Sequence, residues 1–156
     1  MTATVCRLVL AAIWLVAAGG KLAQPRAFLR SVLGFDLVPA PLVPWVAATM
    51  PGVEVAVGLV LLGAVLRKPR GSGPWPALAD AAAWISLGLL AVFTAALVID
   101  QVRGVKMDCG CFDVLGTYLG GWIPWLKPRN AGWDTVARDL VMLVPATLLV
   151  RSRPAR

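Results

Sequence analysis

The sequence predicts an all-α integral membrane protein, a four-helix bundle with both chain ends on the cytoplasmic side. Three observations carry this. The first is composition: hydrophobic residues make up 59% of the 156-residue chain, charged residues only 15%, and mean hydropathy is +0.78. A soluble domain is roughly half apolar and about a quarter charged. A chain this short cannot hide so much apolar surface from water, so its solvent is lipid. The same composition excludes disorder, which needs few apolar residues and many charges. The second observation is a set of apolar stretches near the roughly 20 residues that a membrane-crossing helix requires. The third is an uneven placement of lysine and arginine around them. The length suits a single membrane domain, residues 1–156.

The first stretch covers about residues 5–22, with Arg7 and Lys21 at its ends. Arg7, the apolar run Leu8 to Ala18 and the small residues after it also fit a cleaved signal peptide. Cleavage would leave three helices without moving the later loops across the membrane. Pro25 follows, and between it and Pro39 the residues Phe28, Leu29, Val32 and Leu33 share one face at helical spacing. Arg26 and Arg30 are placed for headgroups, so a short helix lying in the interface is expected here.

The second stretch covers about residues 43–66, with Pro44 in its first turn, where proline is tolerated. Its one charge is Glu54. Pro69, Gly71, Gly73, Pro74 and Pro76 then mark a turn. The third stretch covers about residues 77–99, with Asp80 near its start. The fourth covers about residues 132–150. Its clean apolar part, Leu140 to Val150, is 11 residues long and too short to span, so it takes in Asp134, Arg138 and Asp139.

Orientation follows from the flanks. Residues 1–7, 67–76 and 151–156, 23 in all, hold seven basic residues and no acidic one. Residues 21–42 and 100–131, 54 in all, hold seven basic residues and four aspartates. The denser side is the cytoplasmic one. The cell membrane is thus crossed several times, with the segment of about residues 100–131 extracytoplasmic. Trp45, Trp122, Trp125 and Trp133 would sit at the outer boundary and Trp75 at the inner one. The net charge of +7 is read as these flanks and not as a nucleic-acid surface.

The outer segment carries Met107-Asp108-Cys109-Gly110-Cys111-Phe112. A bond between Cys109 and Cys111 would close a very small ring, which Gly110 eases through its backbone freedom. Strained, exposed disulfides are the labile and catalytic ones. Lys106 and Arg103 favour a thiolate here, while Asp108 and Asp113 oppose it. Two other readings stay open: half of a metal site, or a structural bond that pins the loop. Cys6 falls at the opposite face and reads as an inert thiol. With no histidine in the chain, a Ser-His-Asp triad, a His-activated cysteine and a His-ligated metal are excluded, and no metal is expected.

Glu54 lies about 17 Å along its helix at 1.5 Å per residue, near the bilayer centre. A charge at that depth is paired, functional or neutral and hydrogen-bonded. On this reading Glu54→Gln is mild and Glu54→Lys severe. Gly58 one turn on, and Gly52 nearby, would let a neighbouring helix approach. Lys21, Arg138 and Asp139 fall at outer helix ends beneath the cysteines, and Arg138 and Asp139 read either as a boundary anchor or as a polar floor under the disulfide.

Several of these motifs resemble one known family. Ala17-Ala18-Gly19-Gly20-Lys21-Leu22 with Pro25-Arg26-Ala27-Phe28 resembles the first-helix signature of the methylamine utilisation protein MauE family, which groups with DoxX-like membrane proteins. Glu54 with Gly58 and Leu59 resembles its second-helix motif, Arg103-Gly104 and Asp108 to Phe112 its redox motif, and Arg138-Asp139 the start of its last helix. The likeness spans about residues 8–150. Asp113 and Asp139 depart from it, where the family often has glycine and asparagine. The resemblance implies a four-helix membrane protein of disulfide formation, acting in maturation of a methylamine-oxidising enzyme subunit or beside thioredoxin-like proteins.

The expected activity is that of a thiol–disulfide oxidoreductase using Cys109 and Cys111, with Lys21, Glu54, Arg138 and Asp139 as supporting polar residues. The expected partner is an extracytoplasmic thioredoxin-like or cysteine-rich protein, with lipid around the helices and no nucleic acid. A lipid-soluble quinone is the candidate electron sink, although no residue marks its site. One alternative is an assembly protein with a structural disulfide. The other is a small transporter organised around Glu54.

Overall fold

The computed structural model describes residues 2–67, 74–104 and 132–151, and among them there is helix and no strand. Helix α1 is Thr2–Ala23 and α2 is Pro25–Phe35. Gln24 separates them at φ −132° and ψ 62°, and Pro25 opens α2, where its missing N–H costs nothing. Asp36 ends α2 in the left-handed conformation at φ 49°, its N–H donating to the Leu33 carbonyl. A single 3-10 turn, Ala40–Leu42, leads into α3, Val43–Leu66. Helices α4, Trp75–Arg103, and α5, Trp133–Arg151, complete the described chain.

The apolar stretches located the helices well, and their ends less well. Helix α4 runs past the expected end at residue 99 through Asp100, Gln101 and Arg103. Polar residues closed the apolar count there, but a backbone helix continues until something stops it. Gly104 does so at φ 72°, its N–H meeting the carbonyls of Asp100 and Gln101. Pro51 lies within α3 and Pro145 within α5. Such breaks are tolerated where neighbouring helices and hydroxyl side chains satisfy the backbone. Helix α2 occupies the expected place, but its buried side chains are Phe28 and Ser31, while Leu33 is 50% exposed.

The four long helices pack in the cyclic order α1, α3, α4, α5. Leu15 meets Gly58 while Lys21 meets Glu54, so α1 and α3 run antiparallel. Trp14 meets Ser86 while Lys21 meets Phe93, so α1 and α4 run parallel. Thr94 faces Asp139 while Leu97 packs with Val136, so α4 and α5 run antiparallel. The start of α1 and the end of α5 therefore lie at one end of the bundle. Small residues let the helices close on each other: Ala11, Ala83 and Ala146 are at most 2% exposed in the core around Leu10, Trp14 and Leu61. Gly58 is the tightest point. A Cβ there would lie 2.8 Å from Leu15 Cγ and 3.4 Å from the Ala11 carbonyl oxygen. Gly52 has nothing within 4 Å, so of the two expected glycines Gly58 alone serves close approach.

Among the described residues, three segments have the length and hydropathy to cross a membrane: Thr2–Ala23, Ala40–Leu66 and Trp75–Arg103. Helix α5 falls outside that class because its 19 residues carry Asp134, Arg138, Asp139 and Arg151. Large apolar side chains cover the outside of the bundle, including Leu59, Val92 and Val141 at 55–63% exposed. A soluble protein does not present apolar surface on this scale. The chain is a helical membrane protein that crosses the bilayer more than once.

Candidate functional site

The site begins where α1 stops. Antiparallel packing sets the last turn of α1 beside the middle of α3, and Lys21 turns inward there. Its ammonium lies 2.6 Å from Glu54 Oε1, and both side chains are 0% exposed. Helix α2 continues along α3 above this point and brings Phe28 over the pair. The ammonium sits 5.2 Å from the Phe28 ring centroid and 5.5 Å from that of Phe93 on α4. Two aromatic faces at these distances hold a cation by their quadrupoles.

Lys21 keeps its expected place near the end of its helix but turns inward. It is a core residue, the counter-ion of Glu54. Glu54→Gln, expected to be mild, would take the nearest counter-charge from this buried ammonium. Glu54 is accordingly not a lone acid at membrane depth. Its second oxygen, Oε2, is buried and has no hydrogen-bond partner among the described residues.

Beside the pair lies a cavity of about 180 Å³ that draws on α1, α2, α3, α4 and α5. Its wall includes Trp14, Lys21, Phe28, Glu54, Phe93 and Asp139. Asp139 on α5 has Thr94 Oγ1 3.4 Å from its Oδ2. The Thr94 hydroxyl lies closer to the Leu90 carbonyl, at 2.8 Å, so its one proton goes there and its contact with Asp139 is weak. Arg138 is half-buried and does not line the cavity. Of the expected polar set, Lys21, Glu54 and Asp139 line this cavity, and Arg138, outside the wall, acts electrostatically on Asp139. Cys109 and Cys111 lie outside the described residues. Cys6 is a free thiol, 5% exposed in the core near the start of α1.

Sequence reasoning passed over one buried polar link. Trp14 Nε1 donates to Ser86 Oγ at 2.9 Å, and Ser86 Oγ donates to the Ala82 carbonyl at 2.7 Å. The available signal was Trp14 itself, a tryptophan inside an apolar stretch and far from either boundary belt. Ser86→Ala would leave the indole N–H buried without its acceptor, a cost of about 1–3 kcal/mol. A lowered unfolding temperature in detergent is the expected result, and an unchanged one would show that the indole finds another acceptor.

The family model described as methylamine utilisation protein MauE matches residues 1–152. A curated protein of Paracoccus denitrificans named methylamine utilization protein MauE is 34% identical over 150 residues, covering 96% of this chain and 68% of its own. No solved structure matches. With the family's model matching nearly end to end and a curated member similar over almost the whole chain, the protein belongs to the MauE family.

Proposed function

We propose that the protein is a membrane thiol–disulfide redox protein whose working pair is Cys109 and Cys111. The observation that carries this is the Cys-Gly-Cys sequence in the segment that joins α4 to α5. Two cysteines one residue apart form a bond that exchanges readily, and an extracytoplasmic location supplies the oxidised form. In this reading α5 is a fourth span, both chain ends are cytoplasmic and the pair faces outward. The setting is methylamine utilisation, after the printed name of the family and of the relative.

The exchange runs in two halves. A thiolate of the partner, a thioredoxin-like or cysteine-rich extracytoplasmic protein, attacks one sulfur of the Cys109–Cys111 disulfide. A mixed disulfide forms and the other cysteine leaves as a thiolate. The partner's second thiol then displaces the bound cysteine, leaving the partner with a disulfide and the pair as a dithiol. A lipid-soluble quinone reoxidises the dithiol, taking up two electrons and two protons to become a quinol.

Cysteine replacement tests the first half. Without its resolving thiol a mixed disulfide persists, so one of Cys109→Ser and Cys111→Ser accumulates a reductant-sensitive adduct with an extracytoplasmic thiol protein. The double variant accumulates none. Each single variant loses activity in partner oxidation, while Cys6→Ser keeps it. Full activity in both single variants with no adduct in either would leave a structural disulfide as the better reading.

A further inference from the structure

We propose that the end of the bundle where α1 and α4 begin and α3 and α5 stop binds the headgroup of an anionic phospholipid, with Arg7, Arg67 and Arg151 as its cations. This stands apart from the cysteine chemistry and from which side of the membrane that end faces. Register brings the three together. Leu15 on α1 lies against Gly58 on α3, so Arg7, eight residues earlier, is level with Leu66 and Arg67 on the antiparallel helix. Trp14 meets Ser86 and Thr94 faces Asp139, so Arg7 is level with Ala79 on α4 and Arg151 with Ala82. Three residues of helix are about 4.5 Å, less than one turn. Helix α1 stands between α3 and α5 in the ring, so the arginines come from consecutive helices near one depth.

Charge and surface together name the occupant. Arg67 and Arg151 are exposed and Arg7 is half-buried. Among the described residues none of the three has a carboxylate partner, and Asp80, the acid on α4 at this end, forms no ion pair with any of them. The same three helices carry exposed apolar side chains next to the arginines: Leu8 at 43%, Leu66 at 74% and Leu148 at 44%. A soluble anion would use the guanidinium groups alone. An amphiphile with an anionic head and an acyl tail covers both. Basic sites between helix ends at a membrane surface hold such headgroups.

Arg67 is also fixed in place. Its guanidinium lies 4.2 Å from the Trp75 ring centroid. Gly63, one turn before it on α3, makes room for that ring, since a Cβ there would lie 3.2 Å from Trp75 Cζ3. A stacked guanidinium has already lost its freedom and presents its donors in one plane, the geometry that fits two phosphate oxygens. Setting the orientation of insertion needs only the number of basic residues in a flank. It gives no reason to hold one of them flat against an indole seated on a glycine.

The test offers the protein in detergent an equimolar mixture of phosphatidylglycerol and phosphatidylcholine with matched chains, and reads the retained lipid by native mass spectrometry. Preferential retention of phosphatidylglycerol is expected. An arginine near an anionic headgroup is worth about fivefold, so Arg67→Gln/Arg151→Gln, at two exposed positions, lowers the preference about 25-fold. Trp75→Leu keeps every charge but frees Arg67, and still lowers it. Arg26→Gln/Arg30→Gln, exposed at the opposite end of the bundle, leaves it unchanged. Equal retention of the two lipids overturns the proposal, as does a preference that survives Arg67→Gln/Arg151→Gln or falls equally in Arg26→Gln/Arg30→Gln. An unchanged preference in Trp75→Leu overturns the part given to the stacked Arg67. Displacement of the lipid by millimolar glycerol 1-phosphate would overturn the choice of a lipid in favour of a soluble anion.

Discussion

Lys21→Met will destabilise the protein by about 3–5 kcal/mol, the usual cost of removing one partner from a buried ion pair. Glu54→Gln will cost a similar amount, partly offset by Phe28 and Phe93, which still face the ammonium at 5.2 and 5.5 Å. The double change Lys21→Met/Glu54→Leu will recover most of either loss, because an apolar pair of similar volume needs no compensation. The measurement is a double-mutant cycle on chemical or thermal unfolding in detergent. Strong coupling is expected, since the partners share a 2.6 Å contact at 0% exposure. Additive losses would mean that the two side chains do not pair. Glu54→Lys is the extreme case: it sets two ammonium groups together at membrane depth and should prevent accumulation of folded protein.

This pair also marks the limit of what the sequence makes legible. Lipid imposes a strict demand on length and hydropathy, so α1, α3 and α4 stand out from composition alone. Even the break between α1 and α2 is legible, because Pro25 cannot continue a helix. The partner of Glu54 is not, because pairing depends on how far along α3 the end of α1 falls. That level is set by packing at Gly58, Leu15 and Ala11, contacts that spacing along one helix does not encode. A weaker signal was present: an acid at membrane depth demands a cation, and Lys21 is one of few basic residues next to an apolar stretch. Ser86 and Thr94 carried a similar signal, two hydroxyls eight positions apart on one face of α4, both buried and both bonded to the preceding turn. The cavity was beyond the sequence, since five helices build it.

Orientation gives the other large effect, an all-or-none result. In the bundle the start of α1, the end of α3, the start of α4 and the end of α5 share one end. Arg7, Arg67 and Arg151 gather there, and Arg67 stacks on Trp75 at 4.2 Å. Basic residues at helix ends remain cytoplasmic during insertion, so the proposed topology turns this end inward and the segment between α4 and α5 outward. Cys6 cannot report the side, because at 5% exposure it resists labelling from either face. Thr2→Cys in a Cys6→Ser background is the better probe, since position 2 is exposed at the start of α1. A membrane-impermeant maleimide applied to intact, mildly reduced cells will label Cys109 and Cys111 and spare Thr2→Cys; permeabilised cells will label all three. The reverse pattern would put the cysteine pair in a reducing compartment, where an exchange disulfide does not persist, and the redox proposal would fall with the topology.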